Sequence, residues 1–218
     1  MVDPSDEEYK NTKMIKQGKS SLGYPFNELA SWISMKHGVK PLNITYDIIV
    51  HKDKPSLHVI FEQIKETRIF NDKKHFWPEK NIQQEISDQF IQLTKDSPDY
   101  RDTDHCVLFE TFEPIARVEA NKTIPSEQIE ALQNRIKHDE LWLIKKYFHT
   151  AVFFFYTKTQ ANKYRNTEIE EKFTREYFKL LKNYDEFDYI DYNEFDIIID
   201  SKESFDDDYK STWQYYYM

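Results

Sequence analysis

Residues 26–38, FNELASWISMKHG, set Phe26, Leu29 and Ile33 at helical spacing, with Ala30 and Trp32 widening the stripe and Gly38 placed where a helix ends. This predicts a first helix. The next two runs, NITYDIIVH and SLHVIFE, alternate instead, so that Ile44, Tyr46, Ile48 and Val50 share a face with Leu57, Val59 and Phe61. Between them residues 52–55, Lys-Asp-Lys-Pro, predict a hairpin with a four-residue loop. Farther on, Ile82, Ile86, Phe90 and Leu93 predict a second helix, and HCVLFET a strand. The stretch 63–79 follows neither period.

In the second half, Ile129, Leu132 and Ile136 predict a helix that starts near Pro125, breaks at His138-Asp139 and resumes through Phe148. AVFFFYT, residues 151–157, leaves no face for water and predicts an interior strand. A charged helix follows over 166–182, then the strand FDIIID at 195–200, with Phe195, Ile197 and Ile199 on one face. At the end Tyr209, Trp213, Tyr215 and Tyr217 alternate with Lys210, Thr212, Gln214 and Tyr216. This predicts a last strand over 209–217 beside 195–200, with Trp213 packed into the sheet and residues 201–208 as a polar connection.

Helices and strands in this order predict an α+β fold, a mixed, largely antiparallel β-sheet covered by helices. A spacing of 87 pairs Ile82 with Ile169, Ile86 with Phe173, Phe90 with Tyr177 and Leu93 with Leu180. That register points to two pseudo-repeated halves, 23–118 and 123–218, within one domain over 23–218, preceded by a mobile segment, 1–22.

Composition narrows the function classes. The 218 residues are 39% hydrophobic and 16% aromatic, enough for a real core. Lysine outnumbers arginine by 24 to 6, the usage that AT-rich codons of a bacterial genome produce. The opening residues carry charges throughout and lack an apolar leader, no run approaches a bilayer span, and Cys106 stands alone, which together predict a cytoplasmic protein without an internal disulfide. Glycine occurs at 18, 23 and 38, so neither G-x-G-x-x-G nor G-x-S-x-G is present; Gly18-Lys19-Ser20 lacks the earlier glycine of a phosphate loop, Lys13 standing in its place. No cofactor is called for.

The formal charge of −9 sits in residues 183–218, where eleven acidic residues meet Lys202 and Lys210. In the helix over 166–182 the charges pair at i,i+4, Glu168 with Lys172 and Glu171 with Arg175, which is a solvated face and not a basic groove. Nucleic acid and membrane are therefore not expected partners. An acidic, aromatic terminus instead suits a basic protein: Asp206, Asp207 and Asp208 would steer it and Tyr216 would anchor it. The tripeptide lacks the alternating ligands and glycine of a calcium loop.

Two candidate chemistries remain. His105 and Cys106 are neighbours on a strand and point to opposite faces, so they do not form a nucleophile and base, and Cys106 is expected to be a buried, inert core residue. On the first hairpin, a loop at 52–55 would set His51 opposite Ser56, Ile49 opposite His58, Asp47 opposite Ile60 and Thr45 opposite Glu62, gathering His51, His58, Asp47 and Glu62 on one face as metal ligands. The leading expectation is a protein-interaction module, an acidic inhibitor or immunity-type protein, not an enzyme, with self-association left open. The alternative is a metal-dependent hydrolase built on that hairpin.

Overall fold

The computed structural model describes residues 3–51, 54–71, 77–100 and 103–217, with 49–51 and 54 described by their backbone. The chain divides into two compact units, Met1–Ile115 and Ala116–Met218. The first contains helices α1 (Glu7–Lys16) and α2 (Phe26–His37), strands β1 (Asn43–His51) and β2 (Lys54–Phe61), helices α3 (Ile64–Thr67) and α4 (Lys80–Thr94), and strand β3 (Cys106–Thr111). Helix α5 (Glu113–Thr123) carries the division. The second unit continues with α6 (Ser126–Ile136), β4 (Leu141–Tyr147), β5 (Thr150–Phe155), α7 (Lys158–Tyr164), α8 (Glu168–Lys182), β6 (Ile198–Ser201), α9 (Lys202–Asp207) and α10 (Trp213–Tyr216). The class is α+β, as the pattern predicts.

Each unit holds one mixed sheet, ordered β1-β2-β3 in the first and β4-β5-β6 in the second. In both, the first two strands are antiparallel and the third is parallel to the middle one. A parallel neighbour demands a crossover, which α3 and α4 supply in one unit and α7 and α8 in the other. Leu29 and Ile33 of α2 and Ile86 and Phe90 of α4 pack on Ile44, Leu57, Val59, Phe61 and Val107. Correspondingly, Leu132 of α6 and Phe173, Tyr177 and Leu181 of α8 pack on Ile144, Phe153, Phe155 and Ile199. The buried residues of α4, Ile86, Ser87, Phe90 and Thr94, are matched 87 residues later by Phe173, Thr174, Tyr177 and Leu181. Helix α2 ends at Gly38, whose φ of 75° is the left-handed cap a side chain resists.

Strand β5 lies in the middle of its sheet and is buried throughout. Such a strand needs a partner on both sides. Residues 141–147 therefore form β4 and not the resumed helix of the sequence pattern, with Ile144 opposite Phe153 and Leu143 opposite Phe154. Residues 1–22 likewise contain a docked helix: Tyr9 of α1 is fully buried and stacks on Phe112 with ring centroids 5.0 Å apart.

The expected last strand over 209–217 is absent. Residue 201 caps a helix instead: Ser201 Oγ accepts from Ser204 N at 3.0 Å, and the Lys202–Asp206 pair at i,i+4 supports α9, so Asp206 and Asp207 belong to a helix and not to a loop. Trp213 and Tyr216 are three apart as well as in the alternating row, and the helical spacing wins because it lays both rings on the outer face of the sheet. There Trp213 stacks on Phe205 at 4.1 Å and lies edge-on to Phe154, with Val152 and Trp142 in the same cluster. Trp213 is thus packed against the sheet without extending it. Trp213→Ala should lower stability by about 2–3 kcal/mol, since truncating a buried aromatic costs about 3–5 and this ring is partly exposed. Asparagine at 206, 207 and 208 together should leave the urea midpoint nearly unchanged. A tryptophan variant that unfolds at the wild-type midpoint would refute the packing role.

Candidate metal centre

Pro55 decides which polar residues of the hairpin meet. Strands β1 and β2 pair as Asn43↔Ile60, Thr45↔His58 and Asp47↔Ser56, and after an irregularity as His51↔Lys54. Proline has no amide hydrogen to donate, so a regular ladder cannot run through position 55. Pairing with β3 likewise starts one residue later, at Ser56↔Cys106. The expected register, with His58 opposite Ile49, is displaced by four residues along β1, two of them already present at His51↔Lys54 and two more across the irregularity opposite Pro55, and Lys54 is strand rather than loop. Asp47 is exposed, and Glu62 lies past the strand, 2.6 Å from Lys16 Nζ. The side chain of His51 lies outside the described residues. Asp47, His58 and Glu62 do not converge as ligands, although the alternation does put Asp47 and His58 on one face.

His58 finds other partners. Its side chain leaves the outer face of β2, away from the packed core. Parallel pairing with β3 sets Glu110 beside Ile60, two residues along that face. Helix α1 crosses the same face and brings Glu8 down from its first turn. His58 Nδ1 is 2.7 Å from Glu110 Oε1 and 3.6 Å from Glu8 Oε1, and the three donor atoms all lie within 4.8 Å of one another. The side chains are 20–22% exposed, so the cluster is neither sealed nor free in water.

Outer partners hold these groups in place. The buried Ser56 hydroxyl lies 3.2 Å from His58 Nε2, and the Thr45 hydroxyl donates to Glu8 Oε1. With Nε2–H donating to Ser56, Nδ1 turns either a lone pair or a second proton towards the two carboxylates. The hydrogen bond to Glu110 raises the His58 pKa above the ordinary 6.5, against burial, which favours the neutral ring, and Glu8 adds to the rise. Burial alone would push Glu110 up, yet its bond to His58, together with further positive charge nearby, holds the carboxyl below the usual range.

Glu8 and Glu110 escape the sequence reading, though both leave traces. Cys106, Leu108 and Glu110 alternate onto one face, so Glu110 follows once β3 is known to run parallel to β2. EEYKNTKMIK carries acids in its first turn and lysines in its last, the charge order that suits a helix dipole.

Asp206, Asp207 and Asp208 have partners within their own unit, and the side chains of Asp207 and Asp208 stay more than half exposed. Asp206 pairs with Lys202 and accepts from Ser211, while Asp207 and Asp208 lie 3.3 and 3.5 Å from Lys158 Nζ. Tyr216 donates to Asp200 at 2.8 Å, with its ring 5.2 Å from Phe154. Cys106 is half-buried and not a core residue, because it shares the outer face of β3 with Leu108 and Glu110 while Val107 turns to the core. His105 is buried against Tyr46 and Phe90, its backbone N–H donating to Ser87 Oγ at 2.9 Å; Ser87 is itself buried and out of reach of a substrate. Among the described residues no helix is long and apolar enough to cross a membrane.

Comparison with protein-family models, with curated proteins and with solved structures finds no match. The chemistry therefore rests on the geometry of the chain itself. That geometry makes a titration prediction. His58 should titrate above 6.5 and His105, whose pKa is lowered by burial, below it. The signs are opposite. The His58 contribution to stability is complete below 6.5 and is lost as pH rises through its higher native value, whereas that of His105 is lost as pH falls from 6.5 through its lower one. Ring-proton NMR across pH 5–9 checks both, and a His58 midpoint at or below 6.5 would sink the assignment.

Proposed function

We propose that this protein binds a divalent transition-metal cation, Zn²⁺ by preference, through Glu8, His58 and Glu110. The observation that carries the reading is the convergence of one imidazole and two carboxylates from three separate elements within 4.8 Å. Neighbouring donors on a tetrahedral zinc stand about 3.3 Å apart, given bonds of about 2.0–2.2 Å. The separations of 2.7 and 3.6 Å from His58 bracket that value, and the two carboxylate oxygens lie within 4.8 Å of each other. A mixed nitrogen and oxygen donor set suits a borderline ion such as Zn²⁺ better than Mg²⁺ or Ca²⁺, which take oxygen alone. Ser56 on the far ring nitrogen is the kind of outer partner that fixes a metal-binding tautomer.

The hydrolase reading moves with the ligands, from the hairpin tip to this cluster. Three protein donors at a partly exposed site leave a coordination position for water, the arrangement that metal-assisted hydrolysis requires. The protein-docking reading draws less support, because Asp206, Asp207, Asp208 and Tyr216 are engaged within their own unit.

Calorimetry and thermal melting test the proposal. Zn²⁺ at about 100 times its Kd should stabilise the fold by about 2.7 kcal/mol. His58→Ala and Glu110→Gln should abolish the shift, and Ser56→Ala should weaken binding about tenfold. Absence of a shift in the wild type, or an undiminished shift in His58→Ala, refutes the site.

A further inference from the structure

Helix α1 supplies one of the three ligands and is held to the sheet in an unusual way. It has ten residues, and isolated helices shorter than about 12–15 residues are marginal in water, so its order depends on docking. Its buried residues are Tyr9 and Thr12. Tyr9 supplies an aromatic anchor on Phe112 and Ile15 is half-buried beside Leu22 and Ala30, while several further contacts are polar. Thr12 Oγ1 accepts from Asn43 Nδ2 at 2.9 Å, Lys16 meets Glu62 at 2.6 Å, and Glu8 meets Thr45 and His58. Met14 is 42% exposed. Charged contacts on a partly exposed surface contribute little by themselves.

Resting on the metal reading above, we infer that the bound cation is a latch for α1: occupancy of the Glu8–His58–Glu110 site decides whether the helix stays docked on the sheet. Glu8 belongs to the helix, while His58 and Glu110 belong to strands fixed by their ladder. A cation that takes all three ligands cross-links the two, and α1 leaves only by breaking a metal–oxygen bond. By linkage the coupling is reciprocal, so whatever loosens α1 weakens the metal. Undocking would uncover Asn43 and Phe112, both buried and both in contact with α1. It would also remove Ile15 from the wall of a cleft of about 520 Å³ lined by Leu22, Ala30, Lys40 and Glu66. The ion thus governs access to a partly apolar surface.

Hydrogen exchange read by mass spectrometry tests the latch on the full chain, with Zn²⁺ as the probe and calorimetry alongside. Zn²⁺ should slow exchange in peptides of α1 about tenfold or more, and that of β2 much less. Glu8→Gln should retain weakened binding through His58 and Glu110 but lose the added protection. Tyr9→Ala, which removes the ring stacked on Phe112 and leaves the three ligands in the chain, should lower Zn²⁺ affinity about tenfold while exchange in α4 and α8 shows the fold intact. Binding without a change in α1 exchange, or unchanged affinity in Tyr9→Ala, overturns the latch and leaves the site standing. Absence of Zn²⁺ binding by the wild type overturns both.

Discussion

The structure depends on one constraint, the double partnership of the middle strand in each sheet. Strands β2 and β5 are antiparallel to one neighbour and parallel to the other. The parallel partner forces a crossover through helices, and α4 with α2 in the first unit, like α8 with α6 in the second, settles on one face of its sheet. That face becomes the core. The opposite face is left with a row of side chains and no crossover to cover it. What remains of the chain at either end must close it, and the two units do so with different chemistry.

In the second unit closure is apolar. Val152 and Phe154 of β5 present a greasy outer face, and α9 with α10 lays Phe205, Trp213 and Tyr216 over it. The one acid there, Asp200, is satisfied by the Tyr216 hydroxyl. In the first unit the corresponding middle strand carries His58 where β5 carries Val152, counting back from Phe61 and Phe155 at the strand ends. Glu110 takes the place of Asp200, each acid one residue before the last pair of its parallel ladder. A sheet face with a histidine and a glutamate cannot be closed by aromatics without stranding buried charge. It is closed instead by a short helix bearing a complementary acid, a hydroxyl contact and a single deep ring.

This division explains what the sequence makes legible. The core face is written in periodicity: Ile86, Phe90, Phe173 and Tyr177 mark their helices, AVFFFYT marks a middle strand, and the shared spacing of 87 between α4 and α8 is visible in the order of the residues alone. The outer face is written in relations between distant segments. Whether His58 meets Ile49 or Thr45 depends on a ladder interrupted at Pro55, and whether it meets Glu110 depends on the direction of β3. Glu8 reaches it from fifty residues away. Local pattern carries none of that information. The terminal aromatics mislead for a related reason: Trp213 and Tyr216 fit both a strand alternation and a helical step, and the choice is made by Phe154 and Phe205, which they must cover.

Apolar and polar closures also respond differently to the solution around them. Burial of Phe205 and Trp213 is non-directional and scales with area, so neither pH in the neutral range nor a trace ion alters it appreciably. The contacts beneath α1 are directional and charged, and their strength changes with the proton on His58 and with any cation that competes for its lone pair. Two units of the same topology thus differ in sensitivity, one capped permanently and the other conditionally. The conditional cap is the one whose groups also have the donor set of a metal site, and the same three side chains account for both properties.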